Sequence, residues 1–123
     1  LSFDVSVPVA RMADYVAETR LALSARWPQA RLLSFGHVAD NNVHMIVSVG
    51  SDTATQYHAV SELVYAGVLA RQGSISAEHG IGLDKRDALA ASCPPPVMAM
   101  MRQVKQWFDP QQLLNPGKVI RVD

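Results

Sequence analysis

The chain opens on an alternation. Phe3, Val5 and Val7 fall on one side of an extended backbone and Ser2, Asp4 and Ser6 on the other, so residues 2–7 read as a half-buried strand closed by Pro8. From residue 9 to 27 the period changes: Met12, Tyr15, Val16, Leu23 and Trp27 recur at mostly helical spacing, and Pro28 stops the helix. Residues 31–38 and 43–49 give two further strands around a polar turn. Gly50, Ser51 and Asp52 break the pattern, and Asp52 or Thr53 can cap a helix that runs to Leu69, with Gly73 just beyond its end. Residues 74–77 read as a short fourth strand, followed by a helical segment near 83–91, prolines at 94, 95 and 96, and a helix over 97–108. The order β-α-β-β-α-β with helices appended predicts an α+β fold of ferredoxin-like arrangement: an antiparallel sheet with helices on one face and C-terminal helices added.

Composition narrows the class. A chain of 123 residues fits one domain, and 49% hydrophobic with 18% charged residues is enough to bury a core. Eleven basic residues balance eleven acidic ones, so the basic excess of a nucleic-acid binder is missing. No apolar run approaches the roughly 20 residues needed to span a bilayer, and the opening residues read as a strand and not as a signal peptide, so none is expected there. Cys93 is the single cysteine, which excludes an internal disulfide and a thiolate metal cluster and fits a reducing, cytoplasmic setting. The chain enters its first strand almost at once from Leu1, so we expect it to be a portion of a longer polypeptide.

The chemistry concentrates in three stretches. In residues 36–45, Asp40-Asn41 is a hairpin signal. A turn centred there sets His37 opposite His44 on one face, with Cβ atoms roughly 5 Å apart, where two imidazoles can hold a metal ion or a substrate. Phe35 and Ile46 share that face, whereas Val38, Val43, Met45 and Val47 point the other way, toward the helices. The histidines then lie on the open face of the sheet. His58, mid-helix with no polar constellation around it, reads as structural or solvent-facing.

In residues 73–82 a short strand ends in Glu78-His79 and meets Gly80 and Gly82, glycines that permit unusual φ and close approach of a ligand. Glu78 can add a carboxylate oxygen to two imidazoles, a set common for zinc and acceptable to manganese or iron. His79 is a natural general base near neutral pH. In residues 108–118, Asp109 can cap a final helical turn with Pro110 at its first position, and Asn115-Pro116-Gly117 forms a turn. Taken singly, each stretch also fits something plainer: surface or core histidines, a surface loop, a well-punctuated chain end.

Together the three stretches resemble the C-terminal domain of FAD-linked oxidases of the vanillyl-alcohol oxidase superfamily, in the branch of D-lactate, glycolate and D-2-hydroxyglutarate dehydrogenases. Members typically show GH-x-GDGN-x-H, GG-x-(I/V)-SGEHGIG-x-x-K and FDP-x-x-(L/I)-LNPGK. Here they read GHVADNNVH, QGSISAEHGIGLDK and FDPQQLLNPGK, in the same order. The resemblance implies a 2-hydroxyacid oxidised by hydride transfer to FAD, with the flavin held mainly by an N-terminal domain outside this chain. It implies that His37, His44 and Glu78 bind a divalent metal, usually zinc, that His79 takes the hydroxyl proton, that Asn42 lines the substrate site, and that Asn115 belongs to a tail returning toward the flavin. The fragment alone is then inactive, and the expected partners are the hydroxyacid, its own FAD-binding domain and a second copy in a homodimer. Ala39 and Asn41 replace two motif glycines and Ala77 a third, so added methyl groups narrow the pocket while Asn41 still tolerates positive φ. Two other classes compete: a non-catalytic ferredoxin-like binding module, and a zinc hydrolase built on His37, His44 and Glu78.

Overall fold

The structure, a computed structural model, describes residues 1–121. The chain divides into two compact units, Leu1–His79 and Gly80–Asp123.

The first unit carries three strands, β1 (Ser2–Ser6), β2 (Arg31–Phe35) and β3 (Asn42–Ser48), in an antiparallel sheet of order β1-β3-β2. Two helices, α1 (Val9–Arg26) and α2 (Tyr57–Leu69), cover one face. The alternation decides which face. Phe3, Val5, Met45 and Val47 are fully buried beneath the helices and Val43 is buried with them, while Phe35 and Ile46 are exposed on the other side. Phe3 meets Tyr65 of α2 edge-on at 5.7 Å. Tyr15 of α1 donates its hydroxyl to the Val64 carbonyl of α2 at 3.1 Å, and burial pushes that phenol far above its usual range. Pro8 leaves the start of α1 without a cap of its own, and Asn41 supplies one: its side-chain oxygen accepts the Val9 N–H at 2.8 Å.

The α+β class is as expected, but the complete ferredoxin-like sheet is not formed. Where a fourth strand was expected over 74–77, a single antiparallel bridge joins Ser6 to Ser74 on the free edge of β1. Beyond it the chain leaves the ladder, because the amides of Ala77, Glu78 and His79 turn in to the side chain of Asp4. The second helix also begins later than expected. Thr53 accepts the Val49 N–H at 3.0 Å and donates to the Gly50 carbonyl at 2.6 Å, closing a turn that holds residues 51–56 out of the helix.

Gly73 is required by space rather than by φ. The left-handed residue after α2 is Gln72, at φ 57°. A Cβ at Gly73 would lie 2.2 Å from the Ser6 carbonyl oxygen and 2.9 Å from Val68 Cγ1. We expect Gly73→Ala to force the Ser6–Ser74 bridge apart and to cost about 1–3 kcal/mol, read as a lower urea midpoint. An unchanged midpoint would show that the bridge gives way freely.

The second unit holds α3 (Arg86–Ser92), α4 (Pro95–Phe108) and a tail. Pro95 and Pro96 sit inside the first turn of α4, where their missing N–H groups cost nothing, so the helix starts two residues earlier than expected. Asp109 does not cap a further helix. Its two oxygens accept the N–H groups of Leu113 and Leu114, and the Lys105 ammonium beside it holds its carboxyl below the usual range. Met100, Trp107, Phe108, Leu113 and Leu114 remain exposed, an apolar surface that this unit does not cover itself.

Candidate active site

His44 is the centre of the arrangement. It lies mid-strand in β3 on the face away from the helices, with Asp4 opposite it across β1 and Phe35 opposite it across β2. The expected pairing of His37 with His44 is therefore wrong in register. β2 stops at Phe35 because the chain turns at Gly36, where a Cβ would stand 2.5 Å from the Asn42 carbonyl oxygen. The His37 carbonyl then accepts the N–H groups of Asp40 and Asn42, folding Val38–Asp40 into a 3-10 turn that ends on Asn41 in the left-handed region, φ 59°. Val38 is exposed on this turn, not packed beneath the helices. His37 reaches the site from a loop all the same, with its ring edge-on to His44 at 6.2 Å.

Glu78 lies between the two imidazoles. One of its oxygens is 3.1 Å from His37 Nδ1 and the other 3.7 Å from His44 Nε2. One ligand atom from each of His37, His44 and Glu78 lies within 4.8 Å of the others, close enough to share a cation. His44 is only 15% exposed in its side chain, whereas His37 is 63% and Glu78 47% exposed, so the set is rooted in the sheet and open above. The ring of His79 stacks on that of His44 with centroids 5.7 Å apart. Asn42, 2% exposed, holds its amide nitrogen 3.4 Å from His44 Nε2, and its buried side-chain oxygen has no hydrogen-bond partner among the described residues.

One participant was not foreseen: Asp4. Its carboxylate is 3.5 Å from His44 Nδ1 and also accepts the amides of residues 77 to 79. The alternation of β1 already set Asp4 on the polar side, and a carboxylate at the middle of a strand is disfavoured enough to be a signal. What no local pattern shows is the loop that folds over it.

Asn115 belongs to the tail of the second unit, in a turn with φ 45°. His58 stands exposed at the start of α2 against the ring of Tyr57.

The family model for FAD linked oxidases, C-terminal domain, matches residues 1–119. The chain belongs to that family. Among curated relatives, D-2-hydroxyglutarate dehydrogenase, mitochondrial, of Bos taurus is 36% identical over 119 residues, covering 96% of this chain and 21% of the relative. D-2-hydroxyglutarate dehydrogenase of Xanthomonas citri pv. viticola is 37% identical over 121 residues, covering 94% of this chain and 26% of the relative. D-lactate dehydrogenase of Anaerostipes hadrus is 38% identical over 120 residues, 94% of this chain and 25% of the relative. The chain thus spans about a fifth to a quarter of the length of these relatives. No helix among the described residues is long and apolar enough to cross a membrane.

Proposed function

We propose that this chain is the substrate-side part of an FAD-dependent enzyme that oxidises a 2-hydroxyacid, of the D-2-hydroxyglutarate, D-lactate or glycolate type. The observation that carries the reading is the convergence of His37, His44 and Glu78 with the ring of His79 stacked alongside. The donor chemistry suits a divalent cation: two imidazoles and a carboxylate are a common zinc set with a position left for substrate. When bound, such a cation supplies positive charge that chelates the substrate's hydroxyl and carboxylate and lowers the hydroxyl pKa.

The chain's own residues supply the rest. His79 accepts the hydroxyl proton, and the Cα hydride departs to FAD, which the remainder of the polypeptide holds. Asn42 offers its unpaired side-chain oxygen to a donor on the substrate, since a buried acceptor left unsatisfied costs on the order of 1–3 kcal/mol. We assign Asn115 to contact with the flavin side. The exposed apolar surface of α4 and its tail supports a covering partner domain, and residues 1–123 are read as one substrate-side domain of the whole enzyme. The lone Cys93 agrees with action in the cytoplasm.

The test is a half-reaction. The full-length protein, kept anaerobic, should lose its oxidised-flavin absorbance when mixed with D-lactate, D-2-hydroxyglutarate or glycolate. A flavin spectrum that none of a panel of 2-hydroxyacids alters would leave a non-catalytic binding module as the better reading.

A further inference from the structure

We propose that Asp4 is a positioning residue for this site, a single carboxylate whose two oxygens fix both halves of the donor set. The inference rests on reading the site as one that holds a divalent cation. One oxygen, Oδ2, accepts the N–H groups of Glu78 and His79 at 2.8 Å each and that of Ala77 at 3.1 Å. Three successive amides aimed at one oxygen leave this loop little freedom. Glu78 and His79 are therefore placed from the first strand, not by their sequence neighbours.

The other oxygen, Oδ1, lies 3.5 Å from His44 Nδ1. That is long for a hydrogen bond, but the charge still favours the tautomer carrying its proton on Nδ1. The lone pair is then left on Nε2, the nitrogen that faces Glu78 at 3.7 Å. A carboxylate behind a ligating imidazole sets tautomer and ring orientation in this way in metal sites at large. The register enforces the arrangement, since Asp4 and His44 are direct partners across β1 and β3 and Asp4 is only 1% exposed. Tying the loop alone would need one oxygen; the second, turned to the imidazole, is what marks Asp4 as part of the site.

Asp4→Asn separates the two roles. Its carbonyl oxygen can keep the three amides, which turns its NH2 toward His44 Nδ1 and moves the imidazole proton to Nε2. In the full-length enzyme we expect little change in thermal midpoint. Zinc affinity, measured by competition with a chromogenic chelator, should weaken about 10- to 100-fold, with a parallel fall in kcat. A folded variant with zinc affinity within twofold of the unsubstituted enzyme overturns the proposal. If the variant does not fold, the unsubstituted enzyme decides. With metal removed and histidine labelled with 15N, the His44 resonance, identified by its loss in His44→Gln, should show the proton on Nδ1. A proton on Nε2 overturns the proposal. An enzyme that binds no zinc at all would instead overturn the metal reading, and the tautomer would still decide the role of Asp4.

Discussion

Replacing His79 by glutamine in the full-length enzyme should lower turnover about 100- to 10,000-fold, the range usually lost with a general base. The geometry makes this a clean substitution. The backbone of His79 is anchored by its N–H to Asp4, while its side chain is exposed and contributes nothing to the core. Glutamine keeps the anchor and much of the size but cannot accept the hydroxyl proton, so stability and flavin content should be preserved. The loss should appear in the flavin-reduction step measured by stopped flow. His58→Gln is the control, because His58 is exposed at the start of α2 and touches only Tyr57 among rings, and turnover there should stay within about twofold. Equal losses at the two positions would remove His79 from the role of base.

Much of the first unit can be read from alternation alone. Phe3, Val5, Val43, Met45 and Val47 go under the helices because period two leaves each strand one apolar face, and the same rule turns His44, Phe35 and Ile46 outward. The features that escape such reading are those settled by contacts between distant residues. The fourth strand is cut short because Asp4, more than 70 residues away in the chain, takes the amides that a ladder would use. The start of α2 is lost to a threonine that binds backbone locally, and the hairpin register is shifted by the close passage of Gly36 over Asn42.

The site shows the same division. His37, His44, Glu78 and His79 are legible from residue type and motif order. Their meeting point is not, because His37 arrives from a 3-10 turn instead of the strand pairing expected for it. The convergence survives the wrong register because a loop residue needs only reach, whereas a strand residue needs the correct face. Asp4 is the converse case. Its place on the polar side of β1 was plain, but its purpose depends on residues 77 to 79 returning to it.

Stripping the full-length enzyme with a chelator should abolish most of its turnover, a loss of at least about tenfold, and zinc or manganese should restore it. The argument begins with exposure. His37 and Glu78 lie 3.1 Å apart and are largely exposed, and a polar contact that open to water contributes little by itself. Two imidazoles and a carboxylate brought within 4.8 Å of one another by a strand, a turn and a loop are more economically explained by a shared cation. His44→Ala should then lose metal and turnover together, because His44 is the least exposed of the three side chains and the one fixed by the sheet. His37→Ala should weaken metal binding less, since His37 approaches from a turn. The measurement is elemental analysis alongside steady-state turnover on each variant. Should the enzyme carry no metal and remain indifferent to chelation while His44→Ala still abolishes turnover, His37, His44 and Glu78 would act on the substrate directly. The ring N–H groups of the imidazoles would then hold the carboxylate group of the hydroxyacid themselves.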